Sequence, residues 1–254
     1  MNSDSPVITI LVATWNSAPD LEDFLESLLN QSWQDWQLLL LDNASQDGSD
    51  EVVARAKSRL RPPQQLIWSS QPDHGIYDAW NRGLKLARGH YLCFIGADDR
   101  FVSEHSLANI MKSVDSRAEL ITAQNAYYSR TGRFLRVWGS AWRWSRMRQS
   151  MNIAHPGMLV HQDLFRKYGD FDDSFHICGD YEWFLRLPAG VKAVHLEIPV
   201  LKVIQGGVSH TRIRQVYAET FQAQRRHCGL FTAAVHWCLN WIKFARRRMI
   251  GLAS

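Results

Sequence analysis

A chain of 254 residues, 46% of them hydrophobic, can bury one large core or one core with a small appended lobe, which excludes the disordered class. Its formal net charge of +4 gathers in three runs, Arg143–Arg148, Arg212–Arg226 and Lys243–Arg248. Where these are not plain solvated helix faces, they call for an anionic partner: nucleic acid, phospholipid or a phosphorylated substrate. The four cysteines, Cys93, Cys178, Cys228 and Cys238, show no C-x-x-C spacing, so neither a zinc site nor a disulfide framework is indicated and a reducing compartment fits best.

Met1–Pro6 is short and polar, and the apolar run after it is too brief for a secretory signal, so the protein is expected to stay inside the cell. Val7–Ala13, Gln37–Leu41, Gln65–Trp68 and Tyr91–Ile95 read as strands, separated by amphipathic stretches at Leu21–Asn30, Gly48–Leu60 and Ile76–Ala87. That alternation predicts an α/β fold with a mostly parallel sheet and crossover helices. Each strand runs into a polar cluster: Thr14-Trp15-Asn16, Asp42-Asn43-Ala44-Ser45, Gln71-Pro72-Asp73-His74-Gly75 and Gly96-Ala97-Asp98-Asp99. All four clusters should line one edge, where open α/β sheets bind ligands. Asp98 or Asp99 could equally cap a helix starting near Glu104, and these residues alone leave capping and metal binding both open.

Beyond residue 117 the pattern changes, with a hairpin expected at Thr131-Gly132, a Trp- and Arg-rich segment at 138–148 and a helix near 180–187. The division expected is a ligand-binding half over 1–116, a smaller second lobe over 117–228, and an amphipathic basic helix over 229–254. No stretch reaches the roughly 18 uninterrupted apolar residues of a membrane span. Gly229–Ile250 comes closest, but His236, Asn240 and Lys243 interrupt it, so it reads as a helix lying on a surface, either anionic lipid or the second lobe itself.

Taken in order, "ILVATWN", "LLLLDNASQDGS", "DHGIYDAWNRGLKLARGHYLCFIGADD" and "GDYEWFLRL" resemble the family 2 glycosyltransferases over roughly residues 7–210, in particular their exopolysaccharide and lipopolysaccharide sugar transferases. The resemblance implies the GT-A fold: a Rossmann-like nucleotide-binding sheet, a smaller acceptor-side lobe and C-terminal helices. It also implies inverting transfer of a sugar from a nucleotide diphosphate donor to a glycan or lipid-linked acceptor. Family frequency, not any residue, points to a UDP-sugar. Thr14, Asn16 and Asp42 match positions that hold the nucleoside; Asp78, Asn81 and Arg82 would extend the donor site, with Asp78 and Asn81 three apart on one helix face. Asp98 matches the last aspartate of a D-x-D-like element binding Mg²⁺ or Mn²⁺ on the diphosphate, although Gly96 stands where the first aspartate belongs.

Asp180 matches the aspartate of the family's E-D motif and is expected to be the catalytic base, although Gly179 replaces the preceding Glu. His210 is the expected second metal or diphosphate partner. His155, Trp142 and Arg143 are the expected acceptor contacts, Arg gripping phosphate and Trp stacking on sugar. Lacking Q-x-x-R-W and spanning helices, the chain should add one sugar per encounter, in the cytoplasm with peripheral contact at the inner membrane face. A Rossmann oxidoreductase is disfavoured because Thr14-Trp15-Asn16 stands where G-x-G-x-x-G is needed, and a nucleic-acid binder because no such module is present. A non-catalytic sugar-nucleotide binder of the same fold remains the alternative, prompted by the Gly96 and Gly179 departures.

Overall fold

The computed structural model describes residues 7–114 and 117–249, the side chains at 243 and 246–249 excepted. Met1–Pro6, the basic side chains of Lys243 and Arg246–Arg248, and the last five residues of the expected terminal helix therefore lie outside the described residues.

Strands β1 (Ile8–Thr14), β2 (Trp36–Asp42), β3 (Gln65–Ser70) and β4 (Tyr91–Gly96) alternate with helices α1 (Ala18–Leu29), α2 (Ser49–Lys57) and α3 (Ile76–Leu84). The strands pair in parallel in the order β3-β2-β1-β4. Apolar side chains run continuously along β1, β2 and β4, whose two faces are covered, whereas the edge strand β3 is only half-buried. Alternation then divides them: Ile8, Ile10, Val12, Leu38, Leu40, Cys93 and Ile95 pack with Phe24 and Leu28 of α1 on one face. Leu11, Leu39, Leu41, Leu92 and Phe94 pack with Tyr77 and Trp80 of α3 on the other.

The second half begins with β5 (Arg100–Phe101) and α4 (Ser106–Lys112). It continues through β6 (Leu120–Tyr128), β7 (Phe134–Trp138), α5 (Trp144–Met147), β8 (Leu159–His161), α6 (Gln162–Tyr168) and α7 (Gly179–Leu185). β9 (Ala193–Ile204), α8 (Val208–Thr211), α9 (Ile213–Cys228) and α10 (Leu230–Met249) complete the chain. β8 pairs antiparallel with both β4 and β6, so it stitches this half onto the parallel sheet. β6 then pairs in parallel with β9, and the expected hairpin joins β6 to β7 through Gly132, whose φ of 79° suits glycine. The cap on α4 is His105, with β5 between it and the acidic pair, so Asp98 and Asp99 do not cap that helix.

Register brings the carboxyl ends of the strands to one rim: Thr14 lies beside Asp42, Asp42 beside Ser70, and Ala13 beside Gly96. The chain leaves β1 for β2 on one side and returns to β4 on the other, so the β1/β4 boundary is a topological switch point.

Candidate active site

At the end of β1 the Thr14 hydroxyl is buried and has no hydrogen-bond partner among the described residues. Arg82, in the last turn of α3, is in the same condition: Nη2 donates to Asp73 Oδ2 at 3.3 Å, while Nε and Nη1 are buried without partners. A buried donor left unmade costs about 1–3 kcal/mol, more for a charged group, so this rim suits an anion or polar ligand that would satisfy it. Burial raises the pKa of Asp73 against the hydrogen bond from Gly75 N and the Arg82 charge. Asp78, in the first turn of α3, accepts from His74 N at 3.0 Å, and that bond is the main reason its pKa is lowered.

Asp98 and Asp99 follow β4 in the turn that begins at Gly96. A Cβ on Gly96 would stand 2.9 Å from Asp98 Oδ1 and 3.1 Å from Asp99 Oδ2, so the two carboxylates converge on the space that glycine leaves open. Burial raises both pKa values, that of Asp99 well above the usual range with the Asp98 charge adding to it. Two converging, desolvated carboxylates are a fitting half-site for a hard divalent cation whose remaining ligands are phosphate oxygens and water. Among the described residues no three His, Cys, Asp or Glu side chains form a complete metal cage.

Asp180 lies in the first turn of α7, its side chain 22% exposed. Oδ1 accepts from Tyr181 N at 2.8 Å and stands 3.1 Å from Tyr77 OH, whose single proton is shared with Ile177 O at 2.8 Å. Oδ2 stands 3.4 Å from His155 Nδ1. Burial lowers the His155 pKa despite the opposing pull of Asp180, and its Nε2 is buried without a partner among the described residues. The ring stacks on Phe94, two residues before Gly96 on β4. Gly179 is explained by the same geometry: a Cβ there would meet the Tyr77 ring at 2.8 Å. Tyr77 thus fills the space beside Gly179 and supplies a hydrogen bond to Asp180. From the other side Glu219 of α9 grips the loop before α7, Oε2 accepting from Ile177 N and Cys178 N at 2.8 Å each and Oε1 from His176 N at 3.2 Å.

Asp180 and His155 line a cavity of about 390 Å³ that also meets Tyr127, Trp138, Ser209 and Asn240. Asp98 is not on its wall. The two parts of the site approach at Tyr127, whose hydroxyl is pushed up to about 12 by burial and by the Asp99 charge, and through α3, which offers Arg82 to the rim and Tyr77 to Asp180.

The other expected site residues are placed as follows. Trp142, expected at the acceptor, is 9% exposed, packs on Phe184 and is not on the cavity wall. Arg143 is an exposed residue at the start of α5, off the cavity wall. His210 is exposed on α8, at 3.5 Å from Gln205, and joins no acidic cluster among the described residues. The Asn81 amide is engaged with the Phe171 backbone, accepting from its N–H at 3.0 Å and donating to its carbonyl at 2.9 Å, while Asp78 turns back to His74, so the two do not act as one face. Asp42 is fully buried and accepts from Ser45 N, Ser45 Oγ and Ser70 Oγ, so it ties the loop after β2 to the end of β3. Asn16 stands exposed beside it in the left-handed region (φ 46°), accepting from Gln46 N. Tyr77, Tyr127, Asp73 and Glu219 were not expected; only Asp73 carried a sequence signal, its place in a polar cluster after a strand.

The rim at the β1/β4 switch point, the acidic pair after β4 and Asp180 on the adjoining cavity form the candidate active site. The family model for Glycosyl transferase family 2 matches residues 9–168, and the chain belongs to that family and is a glycosyltransferase. It is 26% identical over 250 residues to the PGL/p-HBAD biosynthesis glycosyltransferase of Mycobacterium tuberculosis, covering 97% of this chain and 95% of that protein. It is 21% identical over 132 residues to the putative teichuronic acid biosynthesis glycosyltransferase TuaG of Bacillus subtilis, covering 52% and 48%. Among solved structures, S. aureus TarS 1-349 superposes with a TM-score of 0.70 at 14% identity, covering 94% of this chain and 72% of that one. The mannosyltransferase PcManGT from Pyrobaculum calidifontis, in complex with GDP-Man and Mn²⁺, gives 0.64 at 17% identity, covering 98% and 81%. The fold is GT-A, as the resemblance implied. No helix among the described residues is long and apolar enough to cross a membrane.

Proposed function

We propose that the chain transfers one sugar per encounter, with inversion, from a nucleotide diphosphate sugar, a UDP-sugar by family frequency, to a hydroxyl of a glycan or lipid-linked acceptor in cell-surface polysaccharide assembly. The single observation that carries this reading is the placement of Asp180. Its Oδ1 is engaged by Tyr77 and Tyr181, which leaves Oδ2, 3.4 Å from His155 Nδ1, to take the acceptor proton. As that proton moves to Oδ2, the acceptor oxygen attacks the anomeric carbon and the bond to the diphosphate breaks, leaving its electron pair on the leaving group. His155, kept neutral by burial, adds no positive charge that would weaken the base.

On the rim, the Thr14 hydroxyl and the two unpartnered Arg82 donors would bind the donor, with Asn16 and Asp78 bordering it. Asp98, assisted by Asp99, would hold Mg²⁺ or Mn²⁺. When bound, such a cation neutralises charge that develops on the departing diphosphate. Names of relatives support the cell-surface setting, since one is assigned to PGL/p-HBAD and another to teichuronic acid biosynthesis. Peripheral contact with the inner membrane face is supported by α10, whose Phe231, Val235, Leu239 and Ile242 are exposed at helical spacing ahead of the basic run in the sequence. Replacing Asp180→Asn should lower turnover about 10²–10⁴-fold while leaving Mn²⁺-dependent nucleotide binding intact. Undiminished turnover would remove Asp180 from this role.

A further inference from the structure

We propose that Arg136 reads a carboxylate on the acceptor, so that the hydroxyl presented to Asp180 belongs to an acidic, uronate-type sugar. The inference rests on the transferase reading above and names the acceptor class for that site. The register of β6 and β7 sets Arg136 opposite Tyr127 and Trp138 opposite Asn125, so Arg136, Trp138 and Tyr127 share one face of the hairpin. Tyr127 and Trp138 line the cavity that holds Asp180. The Arg136 guanidinium lies over both rings, 5.5 Å from the first centroid and 6.0 Å from the second. Stacking of this kind uses the flat face of a guanidinium and leaves its N–H edge for a planar acceptor. That edge is open, since Arg136 is exposed and joins no ion pair among the described residues.

The charges around the opening favour a singly charged group. Desolvation, and then the Arg136 charge, lower the pKa of His210 on α8, so that ring adds no second cation beside Ser209, which borders the cavity. Arg130 is turned to the donor side, its Nη2 3.5 Å from Gly206 O and its charge opposing the raised pKa of Asp98. Lys202 lies over Tyr128, which as the next residue of β6 faces away from Tyr127. A single guanidinium fork matches a planar carboxylate, whereas a phosphate dianion would call for more positive charge. Asp180, Asp98 and Asp99 would otherwise repel an acidic acceptor, and a cation at this place offsets them. Ser209 and Asn240 on the same wall suit the hydroxyls of a sugar, which need partners once they leave water.

The test uses the full chain, titrated by calorimetry with methyl β-D-glucuronide and with methyl β-D-glucoside, which differ by a carboxylate against a hydroxymethyl group. The glucuronide should bind about tenfold more tightly. Arg136→Met, which keeps an apolar stem over the rings and removes the charge, should abolish that preference; Arg136→Lys, which keeps the charge without the fork, should retain about threefold. Arg133→Met, an exposed position on the same hairpin and off the cavity wall, removes an equal charge and should leave the preference intact. Equal binding of the two glycosides, or binding of neither, overturns the proposal. So does a preference that survives in Arg136→Met. Glucose 6-phosphate binding more tightly than the glucuronide, with the same loss in Arg136→Met, would give the site to phosphate and overturn the carboxylate assignment. A parallel thermal-shift arm with UDP or GDP and Mn²⁺ keeps the two readings apart. Missing nucleotide stabilisation counts against the donor site, whereas nucleotide stabilisation without a glucuronide preference overturns the acceptor class alone.

Discussion

Glu219→Gln tests whether α9 sets the position of Asp180. The carboxylate is 7% exposed and accepts from three consecutive backbone N–H groups, those of His176, Ile177 and Cys178, as well as from Gln215 Nε2 at 2.9 Å. An amide keeps only one of the two acceptor atoms. If its oxygen faces Ile177 and Cys178, then the His176 N–H and the Gln215 amide face an NH₂ group; in the other orientation two backbone N–H groups do. Each buried donor left without an acceptor costs about 1–3 kcal/mol, and the remaining bonds lose their charge assistance, so a loss of about 2–4 kcal/mol is expected. For a domain of this size that is a fall in Tm of about 6–12 °C, readable by urea or thermal unfolding followed through tryptophan fluorescence. Because the released loop carries the start of α7, turnover should fall more than nucleotide affinity does. A destabilisation below about 0.5 kcal/mol, typical of an ordinary surface change, with unaltered turnover would show that the carboxylate does not hold this loop.

Tyr77→Phe removes the hydroxyl bonded to Asp180 Oδ1 and to Ile177 O at 2.8 Å; turnover should fall about tenfold or more, with stability lowered by about 1–2 kcal/mol, as steady-state kinetics and unfolding curves would report. Gly96→Ala places a methyl 2.9 Å from Asp98 Oδ1, so the acidic pair must part, and calorimetry should show Mn²⁺-dependent nucleotide binding weakened about tenfold, a little over 1 kcal/mol. Burial works to raise the pKa of Glu182, but hydrogen bonds from His227 and Arg186 outweigh it and the net shift is downward. Its stabilisation is therefore present at neutral pH and is lost as pH falls below the ordinary value of 4.5 and through the lowered folded one; the pH dependence of unfolding should flatten in that acid window in Glu182→Gln.

The parts of this molecule that were legible in the sequence are those encoded within a few residues. Apolar runs with breaks in period gave β1 to β4 and α1 to α3 close to their observed limits, because β1, β2 and β4, buried on both faces, read as short continuous apolar runs between amphipathic helical stretches. Polar clusters after those runs gave the rim. Partners that meet across the fold leave no such trace. Asn81 was read from its spacing to Asp78, yet its amide pairs with a backbone 90 residues away. Trp142 and Arg143 looked like a flap because aromatic and basic residues alternate there, whereas the tryptophan turned inward onto Phe184. Periodicity cannot separate a stacking platform from a core ring.

The two departures from the family pattern are where the structure adds most, and both are explained by the space that glycine leaves. At Gly179 that space is taken by the Tyr77 ring, and the hydroxyl of that ring then bonds to Asp180. At Gly96 it is bordered by two carboxylate oxygens from the next turn. In each case a charged side chain absent from the sequence motif coincides with a polar group brought in from elsewhere: a phenol from α3 in one place, Asp99 from the following residue in the other. Motif loss read along the chain suggested a binder without turnover. In three dimensions Tyr77 stands beside Asp180 and Asp99 beside Asp98, and the proposed catalytic reading predicts that changing either residue lowers turnover.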